Sequence, residues 1–350
     1  MGKRRGSGKS GRSGKHRRSK PRGISLAGGF LVLGAFTVWT FFADWYVHHP
    51  GDWRRKYECA LPRFVTSAIY SIGNRAADFT DALDLTGYDC VYEYDETAPE
   101  NTVLFAGAPV RTGSPAPGDI TVLDRGHFII GYSPSLRHPV WVAYHVVKDG
   151  TWQYTEARPP FRRDRSCPES PTPDAYTRSG YDRGHMAPNY AIFTRYGEDA
   201  RDRTFLMSNI APQSPALNRG VWRDLEHRIA EYWTEAYGEI WVVVGCFSEN
   251  GHGAVKIGGS IDVPEYFYQV IVAQRGMDVR ALAVLLPQDV DWNAYAARNL
   301  ISIDELEART GLDFNPNLPS FIQAPLEAEC PSRLWPVSLP NALRLLFGRR

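Results

Sequence analysis

The chain is poor in the features that mark metal fingers, repeat arrays and broadly cationic proteins. Its five cysteines, Cys59, Cys90, Cys167, Cys246 and Cys330, include no C-x-x-C pair and no zinc-like spacing, which argues against a zinc site. No segment recurs at the roughly 20–50-residue period of repeat proteins. The fragment Gly8-Lys9-Ser10 is not a phosphate-binding loop, because Lys3 stands where the first glycine would be and no strand precedes it. A surplus of positive charge is also missing from the body of the chain. The formal net charge is +1, yet residues 1–22 hold ten Lys/Arg and no acid, leaving 30 basic against 39 acidic residues beyond them, about −9. A polyanionic partner must therefore be met by a local cluster of arginines, not by a positive field over the whole surface.

What is present suffices for a packed core: 350 residues, 43% hydrophobic and 13% aromatic. Residues 1–22 have almost nothing apolar to bury and are expected to be a disordered basic tail. Ile24–Ala43 is an uncharged run of 20 residues, enough for a helix of about 30 Å, the thickness of a bilayer's hydrocarbon core. The ten positive charges precede it, and bulky Phe41 and Phe42 stand where a cleavage site needs small residues. Segment 23–43 thus reads as a retained single-pass anchor, with the N-terminus cytoplasmic and the rest on the periplasmic or extracellular side. The alternatives are a cleaved, secreted form and a mitochondrial protein, although residues 1–22 lack the apolar face of a presequence helix. Outside the cytoplasm one or two disulfides are open to the chain. Cys246, inside an apolar run, reads as a buried small hydrophobe.

Residues 44–118 read as a juxtamembrane spacer with one amphipathic helix near 62–83, where Phe64, Ala68, Ile69, Ile72, Ala76 and Phe79 recur at helical spacing. Ser114-Pro115-Ala116-Pro117-Gly118 breaks the chain before the main domain, 119–325, and 326–350 is left as a tail. Strands are expected at 120–123, 128–132 and 140–147, forming an antiparallel meander, and again at 239–246, 266–273 and 280–286. Helices are expected near 215–236 and from Ser302 to Thr310, the latter stopped by Gly311. This irregular mixture predicts an α+β fold rather than a doubly wound sheet.

Asp-Arg-Gly-His occurs twice. The copy at 124–127 runs straight into the strand Phe128-Ile129-Ile130 and reads as structural. The copy at 182–185 runs into Met186-Ala187-Pro188-Asn189, a chain reversal that leaves His185 at a strand end, where side chains can face a cleft. A second polar cluster follows, Ser208-Asn209-Ile210 with Pro212-Gln213, and then Asn218 to Glu226. Each residue also has a bland reading: a structural histidine at 185, a helix N-cap at Asn218, a solvated helix charge at Glu226, a solvated face for the arginines.

Together with Trp141-Val142-Ala143-Tyr144, Val263-Pro264-Glu265-Tyr266-Phe267-Tyr268 and Thr310-Gly311-Leu312-Asp313-Phe314, these motifs span about Asp119 to Pro319 and resemble the DNA/RNA non-specific endonuclease family. These are ββα-metal nucleases, among them mitochondrial endonuclease G. The resemblance implies a ββα-metal (His-Me finger) fold with a central, mainly antiparallel sheet flanked by helices. It implies hydrolysis of DNA and RNA to 5′-phosphate ends, with His185 as general base, Asn218 as the direct ligand of Mg2+ (Mn2+ as a substitute), and Glu226 acting on the metal through water. The chemistry agrees. A neutral imidazole titrates near working pH, and Mg2+ takes oxygen ligands while keeping several waters. Eight residues of one helix separate Asn218 from Glu226 by about 12 Å and 80°, too far for joint ligation. Arg183 can grip phosphate with two parallel hydrogen bonds. Arg158, with Arg162 and Arg163 as rivals, matches the arginine that supports the transition state, and Asp182 and Asn209 are expected to shape the site. The expected partners are DNA and RNA as substrates and a lipid bilayer through residues 24–43. The rival readings are a membrane-anchored, non-catalytic nucleic-acid-binding (uptake) protein, a structural membrane protein whose basic tail meets anionic lipid, and a phosphodiesterase for another substrate.

Overall fold

The computed structural model describes residues 74–75, 92–93 and 103–344, less positions 149, 151, 156, 277, 339 and 342. The basic tail, the apolar run 24–43, Cys59, Cys90 and most of the helix expected near 62–83 lie outside the described residues; Asn74 and Arg75 within that span are helical. Among the described residues no helix is long and apolar enough to cross a membrane. Cys167, Cys246 and Cys330 are free thiols.

The first strands are β1 (Tyr92–Glu93), β2 (Val110–Arg111), β3 (Thr121–Asp124), β4 (Phe128–Ser133) and β5 (His138–Val146). Then come β6 (Asp182–His185), α1 (Asn189–Tyr196), α2 (Glu198–Thr204) and β7 (Ile210–Gln213). A helical segment follows as α3 (Pro215–Arg219), α4 (Val221–His227), a π-type stretch Arg228–Trp233 and α5 (Thr234–Tyr237). The rest is β8 (Glu239–Phe247), β9 (Lys256–Ile257), β10 (Ile261–Asp262), β11 (Tyr266–Arg275), β12 (Asp278–Pro287), β13 (Leu300–Ile301), α6 (Ile303–Thr310), β14 (Leu312–Asp313) and α7 (Ser320–Ala328).

The strands build a central antiparallel sheet in the order β1-β12-β11-β8-β5-β4-β3, with β13 also on β12. This is the mixed architecture that the strand and helix pattern predicts. Alternate residues of each strand face opposite sides. On one face Val142, Tyr144, Val244, Phe267 and Ile271 pack with Trp222, Leu225, Ile229 and Trp233 of the helical segment. On the other, Trp141, Ala143, Tyr268 and Val270 pack with Ile303, Leu306 and Phe314. Each large side chain so buried contributes about 1.5–3 kcal/mol. Burial on both faces is why these strands read as unbroken apolar runs.

Packing runs past both ends of the expected 119–325 domain. β1 pairs with β12 and β2 with β14, so chain before residue 119 completes the sheets. The Pro-rich break at 114–118 is a loop inside the fold, and its Ala116 is buried in the second core cluster. Beyond residue 325, Leu334, Trp335 and Val337 join the main core, with Trp335 against Trp233 and its carbonyl accepting from the Trp233 indole at 3.1 Å.

The helix expected near 215–236 is not continuous. Gly220 breaks it with φ −102° and ψ −117°, and a Cβ there would lie 2.3 Å from the Ala216 carbonyl oxygen. The separation of Asn218 and Glu226 reckoned along one helix therefore does not hold, since the two residues sit on separate helices joined at that glycine.

Candidate active site

Two short strands set the geometry. β6 pairs antiparallel with β7, Asp182 opposite Gln213 and His185 opposite Ile210. Gly184 is required for this close pairing, because a Cβ would fall 2.1 Å from the Gln213 side-chain oxygen. Asn209, fully buried, locks the turn that follows His185. Its Oδ1 accepts from Ala187 N at 2.9 Å, and its Nδ2 donates to the carbonyls of Ala187 and Thr204 at 3.0 Å each.

That turn holds His185 between Phe161 and Phe205, with ring centroids at 5.3 and 4.8 Å. Nε2 is sealed without a partner, which leaves Nδ1 as the nitrogen able to face the cleft. Burial, reinforced by the nearby Arg158 charge, pushes the imidazole down to about 3. His185 is therefore neutral and able to accept a proton throughout the physiological range.

Asn218 is in α3, whose N-cap is Ser214, its Oγ accepting from Leu217 N at 3.3 Å. The N-cap reading of Asn218 is thereby excluded. Asn218 Nδ2 donates to Asp182 Oδ2 at 3.0 Å, so its Oδ1 is turned away from Asp182, without a protein partner among the described residues. Arg219 holds the same carboxylate from its other side, Nε to Oδ2 at 2.7 Å and Nη2 to Oδ1 at 2.6 Å. Burial acts to raise the Asp182 carboxyl, but the hydrogen bonds from Arg219 and Asn218 and the guanidinium charge prevail and hold it below the usual range.

From α4, Glu226 lines the same cleft, a cavity of about 950 Å³ that also includes Arg158, Asp182, Arg183, His185 and Asn218. Burial pushes the Glu226 carboxyl up to about 8, against the pull of the Trp222 indole, Arg223 and Arg158. The Trp222 N–H exerts the largest of these pulls, although it lies outside strict hydrogen-bond geometry.

The arginines divide. Arg158 is exposed at the cleft, and among the described residues its one hydrogen bond is to the Tyr154 hydroxyl, at 3.4 Å. Arg183 lies over the Phe161 ring and donates through Nε (3.2 Å) and Nη2 (2.8 Å) to the Pro173 carbonyl. The side-on edge that the expected two-pronged phosphate grip would use is thus engaged by backbone, and Nη1 is left. Arg162 and Arg163 line a separate groove. The pattern of residues did not single out Arg223, Tyr154, Asn189 and Tyr190, which also line the cleft; for Arg223 the signal was there, one turn before His227 on the helix that carries Glu226. The first Asp-Arg-Gly-His copy is a brace. Asp124 accepts from Gly126 N at 2.6 Å, Arg125 pairs with buried Asp164, and His127 stacks on Tyr196.

A neutral imidazole, a carboxamide oxygen, a half-buried carboxyl and guanidiniums around one cleft can bind a phosphate and take a proton beside it. The family model described as DNA/RNA non-specific endonuclease matches residues 106–321, and the chain belongs to that family: it is a hydrolase acting as an endonuclease. A nuclease of Nostoc sp. (strain PCC 7120) is 32% identical over 228 residues, covering 60% of this chain and 79% of the relative. The mitochondrial nuclease EXOG of Danio rerio is 32% identical over 274 residues, 73% of this chain and 75% of the relative. A solved structure of an EndoG/EndoGI complex is similar at 27% identity, with a TM-score of 0.49, over 58% of this chain and 89% of that one.

Proposed function

We propose that the chain hydrolyses internal phosphodiester bonds of both DNA and RNA with little sequence preference, using His185 as general base. The observation that carries the reading is the convergence of His185, Asn218 and Glu226 on one arginine-bearing cleft. His185 Nδ1 takes the proton of the attacking water; burial keeps the imidazole neutral, so it needs no prior deprotonation. Arg158 and the free Nη1 of Arg183 meet the non-bridging phosphoryl oxygens. Groups that contact phosphate rather than base edges read no sequence. Ends carrying 5′-phosphate are what the family resemblance implies.

The donor set fits a hard divalent cation, Mg2+ in the first instance. Asn218 presents an oxygen held ready by Asp182, and Glu226 is a carboxyl that burial holds protonated up to about 8 and that a cation bound beside it would ionise. Bound there, such an ion neutralises charge developing on the phosphoryl and leaving oxygens. Asn218 would hold it directly and Glu226 through water.

The test compares the full chain with His185→Ala and Asn218→Ala on supercoiled plasmid and on RNA, with and without EDTA. Both substitutions should abolish turnover while leaving the circular dichroism unchanged. Undiminished cleavage by His185→Ala, or tight binding of nucleic acid by a wild type that never cuts it, would overturn the reading. Residues 24–43 support a bilayer anchor by their composition alone, whereas the Danio rerio relative is named mitochondrial, which supports the alternative placement; fractionation of tagged cells distinguishes the two.

A further inference from the structure

We propose that the groove carrying Arg162 and Arg165 is a second phosphate-backbone site, gripping the substrate strand that flanks the scissile bond; this rests on the nuclease reading of the cleft. The groove has a volume of about 880 Å³ and is lined by Arg162, Arg163, Arg165, Ser166 and Leu206, with Asp164 at its base. Asp164 adds little negative charge to it. That carboxylate is 3% exposed, pairs with Arg125, and accepts from the hydroxyls of Ser208 at 2.5 Å and Ser166 at 2.7 Å. Arg163 is tied to the carbonyls of Ser170 and Pro168, bonds that orient a guanidinium without neutralising it. Arg162 and Arg165 are exposed, and among the described residues their guanidiniums have no ion-pair or hydrogen-bond partner. In a chain whose residues beyond 22 number 30 basic against 39 acidic, such a concentration of unpaired guanidinium is matched to phosphate, not to general surface solvation.

The groove and the cleft share a wall. Arg162 runs alongside Leu206, its N–H donating to Phe205 O at 3.1 Å and its carbonyl accepting from Met207 N at 2.9 Å. Side chains of extended chain alternate, so Phe161 and Phe205 pack on His185 while Arg162 and Leu206 face the groove. From Arg158 in the cleft, chain length alone bounds Arg162 within about 14 Å and Arg165 within about 25 Å. At about 3.4 Å per nucleotide along one strand of a duplex, those limits put the two side chains at most about four and seven nucleotides from a phosphate held by Arg158. A strand leaving the cleft past Pro159-Pro160 reaches the groove within that span.

The experiment measures kcat and KM on a 40-base-pair duplex and on a trinucleotide too short to leave the cleft, each over a range of NaCl concentrations. Wild type is compared with the doubles Arg162→Gln/Arg165→Gln and Arg162→Lys/Arg165→Lys, and with Arg275→Gln, an exposed arginine on β11, as a charge control. The glutamine double should raise KM for the duplex roughly tenfold at unchanged kcat and flatten the slope of log KM against log[NaCl] by about 2, near 0.9 for each phosphate that is no longer neutralised. The trinucleotide should be cut as by wild type, and the lysine double should restore most of the salt slope. An unchanged duplex KM and slope, an equal shift from Arg275→Gln, or an equal loss of kcat on the trinucleotide would each overturn the inference. A wild type that cuts neither substrate would instead bring down the nuclease reading, and this inference with it.

Discussion

Asp182→Ala is the sharpest probe of the site, because it removes the group that orients Asn218. The carboxylate accepts three hydrogen bonds, one from Asn218 Nδ2 and two from Arg219. An alanine accepts none of them, whereas an asparagine could keep the bond to Asn218 by placing its oxygen where Oδ2 stands. The effect on folding is small. Arg219 is 59% exposed, and an ion pair so open to solvent contributes at most about 1 kcal/mol, a fall in Tm of about 2–4 °C for a domain of this size. The effect on metal is larger, since Asn218 is no longer held with its oxygen outward. Loss of a partner that orients a ligand typically lowers metal affinity about 10–100-fold. Plasmid cleavage measured against Mg2+ concentration should therefore show a midpoint shifted up by that factor, with most of the rate recovered at high metal. Arg219→Ala removes the ion pair but keeps the bond to Asn218, and should move the midpoint less than about fivefold. An unshifted midpoint in a folded Asp182→Ala protein would refute the orienting role.

Three further expectations concern the scaffold and its titrating groups. Gly220→Ala places a Cβ 2.3 Å from a backbone carbonyl oxygen that cannot move aside, so α3 and α4 must shift; cleavage should fall at least about tenfold and Tm should drop, while unaltered kinetics would show that the break between the helices is irrelevant. His185 has a pKa of about 3 in the fold against about 6.5 in the unfolded chain. Its stabilising share is present above pH 6.5 and is lost as pH falls toward 3, so urea midpoints of His185→Ala should decline less steeply than wild type between pH 6.5 and 4; parallel curves would contradict the burial argument. Glu327 is the opposite case. Burial first, then the Glu307 charge, raises it to about 8, so its contribution is full below about pH 4.5 and is lost as pH rises to 8. Glu327→Gln, whose side-chain oxygen can still accept from Asn315 Nδ2 as Glu327 does at 3.3 Å, should gain about 2–4 °C in Tm relative to wild type at pH 8.5 and nothing at pH 4.5; a gain independent of pH would refute it.

The parts of the fold that show in the residue pattern are those whose burial is uniform. β5, β8, β11 and β12 are covered on both faces, and their apolar runs mark them within a few residues. α6 carries its own signals, Ser302 Oγ accepting from Glu305 N and Gly311 in the left-handed region at φ +68°. β7 hides because Pro212 lies inside it, a residue that argues against a strand. The break at Gly220 hides because apolar periodicity continues across it through Leu217, Val221, Trp222 and Leu225. The domain's edges hide because β1 and β2 are two residues each and hold through partners nearly two hundred positions away. For the site, residue chemistry named the groups that line the cleft, but which arginine belongs there is decided by the direction of side chains along 158–165. Spacing cannot express that.

The two Asp-Arg-Gly-His copies show what a motif contributes and what it borrows. In β6 the side chains alternate, which places Arg183 and His185 together on the Phe161 side and Asp182 and Gly184 on the other, where Asn218 and Gln213 meet them. One four-residue strand thus fixes His185, the proposed base, and Asp182, which holds Asn218, on opposite sides of a single backbone, about 10 Å from end to end. The copy at 124–127 straddles a turn instead. Asp124 satisfies its own turn, Arg125 is absorbed by Asp164, and His127 is exposed beside Tyr196, so no two of its polar groups share a cleft. The same letters differ in chemistry because alternation along a paired strand needs a second strand to pair with. At 182–185 that strand is β7, and the helix after it delivers Asn218. Moving the tetrapeptide without its partner strand would carry the histidine but not the geometry on which its proposed role as a base depends.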